Sequence, residues 1–188
     1  MVRAGETLDN PVTRDRVTFL KTAGDTRGEL LELEIVLGPG GFVAAEHVHP
    51  NQEERIEVVS GNPRLRVAGA ERSAHPGDVV VIPAGTAHRW WNPGDDDARV
   101  RIELRPALQM EALFETLAAL AHAGKLDRRG FPNALQGAVL VRDFRNEIAP
   151  ARDPAMPFSW LPLPVLGALL VLLAPVGRAL GYRGRHTA

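Results

Sequence analysis

His47 and His49 stand one residue apart, Glu54 follows five residues later, and His88 lies just beyond a Pro-x-Gly turn. On an extended strand alternate side chains share a face, so the first two imidazoles point the same way. A short turn through Pro50 brings Glu54 back toward them. Three imidazoles and one carboxylate make a set of hard and borderline donors. Such a set suits one divalent transition metal, Fe(II), Mn(II), Ni(II), Cu(II) or Zn(II), and leaves coordination positions for water or substrate. A lone His-x-His is a weak signal; the four residues together carry the expectation. The chain has no cysteine, which excludes thiolate ligands, disulfides and a cysteine nucleophile.

The elements around these residues read as short strands. Leu31, Leu33, Ile35 and Leu37 alternate with Glu32, Glu34 and Val36. Glu54 to Val59 alternates and ends at Ser60-Gly61-Asn62-Pro63. Leu65 and Val67 follow, then an apolar run over 79–82, stopped by Pro83-Ala84-Gly85. Val100, Ile102 and Leu104 alternate with Arg99, Arg101, Glu103 and Arg105. Many short strands with Gly/Pro turns between them predict a β-sandwich or barrel. Pro106 ends this part. The period then changes to that of a helix over Leu108 to His122, and a second helix is expected over Ala134 to Ile148. Residues 149–157 are Pro-rich and read as a linker. The division expected is 1–106 for the β part, 107–150 for the helices and 151–188 for the linker and an apolar C-terminal helix.

The spacing around the four candidate ligands resembles the cupin family. Its first motif is matched by Gly41, His47, His49, Glu54 and Gly61, its second by Gly77, Pro83, Gly85, His88 and Asn92. The resemblance covers residues 12 to 106. It implies an all-β double-stranded β-helix, a jelly-roll barrel, here with α-helices appended at the C-terminus. It implies His47, His49, Glu54 and His88 as metal ligands, and it selects Glu54 over the adjacent Glu53. Gly41, Gly61 and Gly77 are expected at turns that need positive φ. Pro83 and Gly85 would form the corner that carries His88 over the barrel, and Asn92 would satisfy backbone groups at a strand end.

Parity extends the site. Ile56 and Val58 share the side of Glu54 and are expected to wall a substrate pocket, with Val79, Val81 and Trp90; Phe42 would lie at its mouth. Trp91 should face away, and Arg101 and Glu103 should be exposed if the apolar set of their strand is inward. His75 and His122 read as surface residues. The resemblance implies a metal-dependent enzyme of dioxygenase, isomerase or decarboxylase type acting on a small molecule, with Glu54 doubling as proton acceptor. The alternative is a non-catalytic binding or sensing module, because fold and ligands do not decide turnover. A homodimer is expected.

Net charge is −1, which favours neither nucleic acid nor an anionic surface as a global partner. No apolar run near the N-terminus suggests a secretory signal, and the absence of cysteine fits a cytoplasmic protein. Phe158 to Gly177 holds no charged residue, close to the ~20 residues of a membrane span. Pro175 interrupts it, and Arg178, Arg183 and Arg185 follow. Residues 158–181 are therefore expected to be a helix buried against the barrel or a dimer partner, or to contact a membrane.

Overall fold

A computed structural model describes residues 2–43, 45–151 and 163–185, without the side chains of residues 163, 164 and 166. Ten strands precede the helices: β1 (Thr7–Asn10), β2 (Asp15–Lys21), β3 (Leu31–Leu37), β4 (His47–Val48), β5 (Glu53–Ser60), β6 (Arg64–Val67), β7 (Ala70–Ser73), β8 (Val79–Ile82), β9 (His88–Trp91) and β10 (Ala98–Arg105). Then come α1 (Met110–His122), α2 (Ala134–Asp143), a short β11 (Ala149–Pro150) and α3 (Leu163–Ala179). The strands form two antiparallel sheets, in the orders β1-β2-β3-β10-β5-β8 and β11-β4-β9-β6-β7. The ladders thus show a sandwich of two sheets; the single closed barrel expected from the sequence is not what they show.

Period two decides which side chains are inside. In β3 Leu31, Leu33, Ile35 and Leu37 are buried, and in β10 Val100, Ile102 and Leu104 are buried. Both strands sit mid-sheet, so their apolar rows meet Ile56 and Val58 of β5 and, from the other sheet, Leu65 and Trp90. The opposite face carries charge. Arg99 pairs with Glu34 at 3.3 Å, Arg101 with Glu32 at 3.7 Å and Arg55 with Glu103 at 3.4 Å. These follow the cross-strand register Arg101↔Glu34 and Glu103↔Arg55 with its diagonal neighbours.

The run at 79–82 has no alternation of its own, and its facing comes from register. Ile82 lies opposite Glu54 and Val80 opposite Ile56, so these two point inward. Val79 and Val81 are exposed, 45% and 51%, on the edge strand of the six-stranded sheet. Contrary to the expectation from the sequence, they do not wall the pocket.

Two of the signature glycines show different needs. Gly61 has φ +77°, and a Cβ there would lie 2.7 Å from Ala98 Cα. Gly41 does not need positive φ; it is required by close approach, since its Cβ would lie 2.9 Å from Gly38 O. Asn92 is buried and donates from Nδ2 to the carbonyls of Leu37, Gly38 and Asp96 at 3.0, 3.1 and 2.8 Å. Its Oδ1 accepts from Gly94 N at 3.0 Å. One amide therefore ties the end of β3 to the loop between β9 and β10. Asn92→Ala leaves buried backbone groups without partners. It is expected to cost about 3 kcal/mol, a fall in Tm of roughly 6–12 °C by thermal unfolding.

α1 packs against the β part, with Phe114 edge-on to Phe19 at 6.4 Å between centroids. α2 starts at the expected residue, capped by Asn133 Oδ1 accepting from Gln136 N. It stops at Asp143, five residues before the expected end. Phe144 turns into the core with no exposed surface, and a strand rather than a linker follows at 149–150. Residues 152–157 of that expected linker, and residues 158–162 of the apolar segment, lie outside the described residues. Among the described residues no helix is long and apolar enough to cross a membrane.

Candidate metal centre

Strand pairing brings the two hairpins together. His47 of β4 lies directly opposite His88 of β9. The carbonyl of His49 accepts from Gly85 N at 2.9 Å, which ties the Pro-x-Gly corner to the His-x-His strand. Glu54 enters from β5 in the other sheet, on the inward side, while Glu53 is exposed. Ring centroids of His47 and His88 are 4.4 Å apart, those of His47 and His49 4.9 Å, and those of His49 and His88 5.2 Å. One donor atom from each of the four residues lies within 4.8 Å of every other. Ligand bonds of about 2.0–2.2 Å place donors around one cation roughly 3–4.4 Å apart, a cluster of nearly this size.

Each ring is oriented by its other nitrogen. Nδ1 of His47 donates to Ala45 O at 3.0 Å, that of His88 to Thr86 O at 2.9 Å, and that of His49 to Glu147 O at 2.6 Å. A carbonyl can only accept, so all three rings carry the proton on Nδ1 and turn the other ring nitrogen, Nε2, toward the centre. Glu54 Oε2 lies 2.7 Å from His88 Nε2 and 3.2 Å from His49 Nε2. Yet neither Glu54 Oε2 nor His88 Nε2 makes a hydrogen bond of acceptable geometry, although both are buried. A lone pair on nitrogen and a carboxylate oxygen at 2.7 Å repel unless positive charge lies between them. A proton or a metal ion supplies it, and only the ion serves all four donors together.

The electrostatics follow from that crowding. Burial, with the neighbouring His88 and His49, pushes the His47 pKa down to about 3. Burial alone would raise the Glu54 carboxyl, but the imidazoles of His88 and His49 beside it hold it well below the usual range. Burial opposes charge on His88 as well, and there the Glu54 carboxylate prevails and the His88 pKa is raised. Glu54 thus favours charge on His88, against the burial that disfavours it.

The cluster opens on an apolar cavity of about 350 Å³. His47, His49, Glu54 and Trp90 line one end. Phe42, Val43, Ile102 and Leu104 continue the wall, and Met110, Leu113 and Phe114 of α1 with Leu169, Leu170 and Leu173 of α3 complete it. Phe42 and Trp90 thus border the cavity. Ile56 and Val58 share the side of Glu54, but they are packed in the core and do not reach the cavity. Trp91 faces away, with the Arg89 guanidinium 5.1 Å from its ring centroid. His75 is exposed, and His122 is a surface residue paired with Asp9 at 3.2 Å.

Two contributors were invisible in the motifs. Glu46 lines the cavity and is buried; parity from His47 points it away, but β4 begins only at His47 and parity does not hold before it. Glu147 acts through its backbone carbonyl on His49, while its Oε1 accepts from Gln109 N at 3.2 Å at the start of α1. β11 then pairs Ala149 with Val48 and Pro150 with His47. The region after residue 107 is thereby built into the centre. A backbone carbonyl leaves no mark on side-chain pattern, so no sequence signal could have found it.

Comparison with known proteins agrees with this geometry. Residues 33–104 match the family model described as "Cupin domain". The chain is 30% identical over 112 residues to the tetracenomycin polyketide synthase protein TcmJ of Streptomyces glaucescens, covering 60% of this chain and 66% of that one. It is 32% identical over 75 residues to quercetin 2,3-dioxygenase of Bacillus subtilis, covering 40% and 22%. The chain spans less than two thirds of the length of these curated relatives. A solved structure from Thermotoga maritima, described as a predicted oxalate decarboxylase, superposes with a TM-score of 0.51 at 20% identity, covering 56% of this chain and 98% of that one. That likeness is one of fold.

Proposed function

Because this chain carries a cupin domain with a His/Glu cluster able to bind a metal, we propose that it is a metal-dependent enzyme, of dioxygenase type, acting on a small apolar and aromatic molecule. The observation that carries the reading is the pair of buried, unpartnered atoms, Glu54 Oε2 and His88 Nε2, at the end of an apolar cavity. A divalent transition ion held by His47, His49, Glu54 and His88 supplies Lewis-acid chemistry and, when redox-active, electron transfer.

The chain's own residues do the rest. The carbonyls of Ala45, Thr86 and Glu147 keep the three rings in one tautomer and one direction. Phe42, Trp90 and Phe114 offer aromatic faces and edges along the cavity, which bind a planar ring better than a sugar. The apolar wall lowers the local dielectric beside the polar end, which strengthens the charges there. Glu54 is held ionised by the imidazoles of His88 and His49 beside it, which suits it to face a cation; its place at the polar end of the cavity puts it within reach of a substrate hydroxyl as proton acceptor. The quercetin dioxygenase among the relatives supports a dioxygen reaction, and the apolar lining of the cavity, with its aromatic rings, supports the aromatic substrate class.

The test is dioxygen uptake by anaerobically purified, metal-assayed protein given a panel of phenols, with quercetin included, and of diketones. Substrate-dependent uptake that scales with bound metal is the expected result. Protein that carries stoichiometric metal, binds panel members and consumes no oxygen would overturn the dioxygenase reading in favour of a binding module.

A further inference from the structure

The last helix has two unlike sides. Toward the protein, Ala174 is fully buried against Ala138 and Val139 of α2, with Leu170 and Leu173 packed beside them. A Cβ on Gly177 would lie 2.9 Å from Val139 Cγ2 and 3.0 Å from Leu135 O, so this glycine sets the close approach of the two helices. Arg178 adds an ion pair to Asp143 of α2. Toward the outside, Val165, Val171, Leu172, Val176 and Leu180 are exposed, Leu172 by 72% and Leu180 by 66%. Ala168, Pro175 and Ala179 fill the same exposed surface. No charged residue interrupts this face before Arg178.

An apolar face of this kind needs a covering, and charge identifies the covering. Residues 124–188 hold nine basic and four acidic residues, although the whole chain is −1. Arg183 and Arg185 are exposed immediately past the helix. A second copy would bring two such basic segments against each other, which repel. An anionic lipid surface matches both the apolar face and the charge next to it. With 17 residues, α3 is about 25 Å long at 1.5 Å per residue, short of the roughly 30 Å hydrocarbon core. It fits lying in the interface, with its axis along the surface.

We propose that α3 docks the protein on an anionic membrane surface by its outer face, Val165 to Leu180. The opposite side of the same helix supplies Leu169, Leu170 and Leu173 to the cavity wall. Docking therefore sets the cavity beside the lipid phase, where an apolar molecule partitions. That the cavity takes such a molecule rests on the function proposed above; the docking itself does not.

The test is flotation of the full chain with vesicles of phosphatidylcholine containing one third phosphatidylglycerol, and with phosphatidylcholine alone. Light scattering gives the oligomeric state, and metal analysis reports on the four-ligand cluster separately. Binding to the anionic vesicles is expected. Leu172→Glu with Val176→Glu, both exposed positions, should abolish it with metal content unchanged. Arg183→Ala with Arg185→Ala should weaken it about 30-fold. Absence of wild-type binding overturns the proposal, as does binding that survives Leu172→Glu with Val176→Glu. A dimer that those two changes convert to monomer, without any vesicle binding by the wild type, assigns the face to a second copy instead. Loss of metal in the wild type would count against the proposed function and leave the docking result standing.

Discussion

His47→Ala is expected to leave purified protein with background metal, where the wild type holds close to one ion per chain, and to weaken metal affinity by more than 100-fold. Loss of groups that merely orient a ligand costs 10–100-fold; His47 is proposed as a ligand. Its imidazole faces His88 across the β4–β9 pair and lies in the middle of the donor cluster. It is half-buried and is not part of the apolar core, so the fold should persist. His75→Ala is the matched control, since that ring is exposed and its Nδ1 lies 2.9 Å from Asn62 Oδ1, outside the donor cluster. Metal analysis after anaerobic purification, with circular dichroism to check folding, reads the result. Equal metal content in His47→Ala and wild type would remove the centre.

Metal affinity should fall about tenfold for each pH unit once the pH drops below the raised pKa of His88. The sign follows from competition. The ion needs the lone pair of Nε2, whereas below the raised pKa that atom carries a proton stabilised by Glu54. Above the raised pKa the proton is already gone and this group makes affinity independent of pH. Below it, binding must expel the proton. His47 adds nothing to this window, because its pKa is held down to about 3 and it is neutral throughout. Glu54, held well below the usual carboxylate range, stays anionic over the same interval. Titration of metal into the apo-protein by calorimetry in buffers of different ionisation enthalpy measures the protons released. Proton release that shows no rise as pH drops through the titration of His88 would contradict the raised His88 pKa.

Much of the architecture was legible because it depends on local rules. Alternation in β3, β5 and β10 set which side chains enter the core, and Asn92 was marked as a strand-end residue before its four backbone partners were seen. The spacing of His47, His49, Glu54 and His88 singled out the four side chains that converge. Reading failed where the chain has no period of its own. Composition places Val79 and Val81 inward, and only pairing of β8 with β5 turns them out. The helical pattern carries α2 five residues past its end, because Phe144 leaves the helix to fill the core.

The sequence alone determined the donor types, their spacing and the two-residue rhythm of the strands, since these follow from covalent geometry and side-chain chemistry. Tertiary structure decided the remainder. The carbonyl of Glu147 on His49, 98 residues away, and the pairing of Ala149–Pro150 with the strand of His47 attach the C-terminal region to the centre. Likewise α1 and α3 close the cavity over the donors, and α3 keeps one apolar face outside. Backbone groups are the same in every residue, and a face is inner or outer only relative to its neighbours. Neither property exists until the chain has packed.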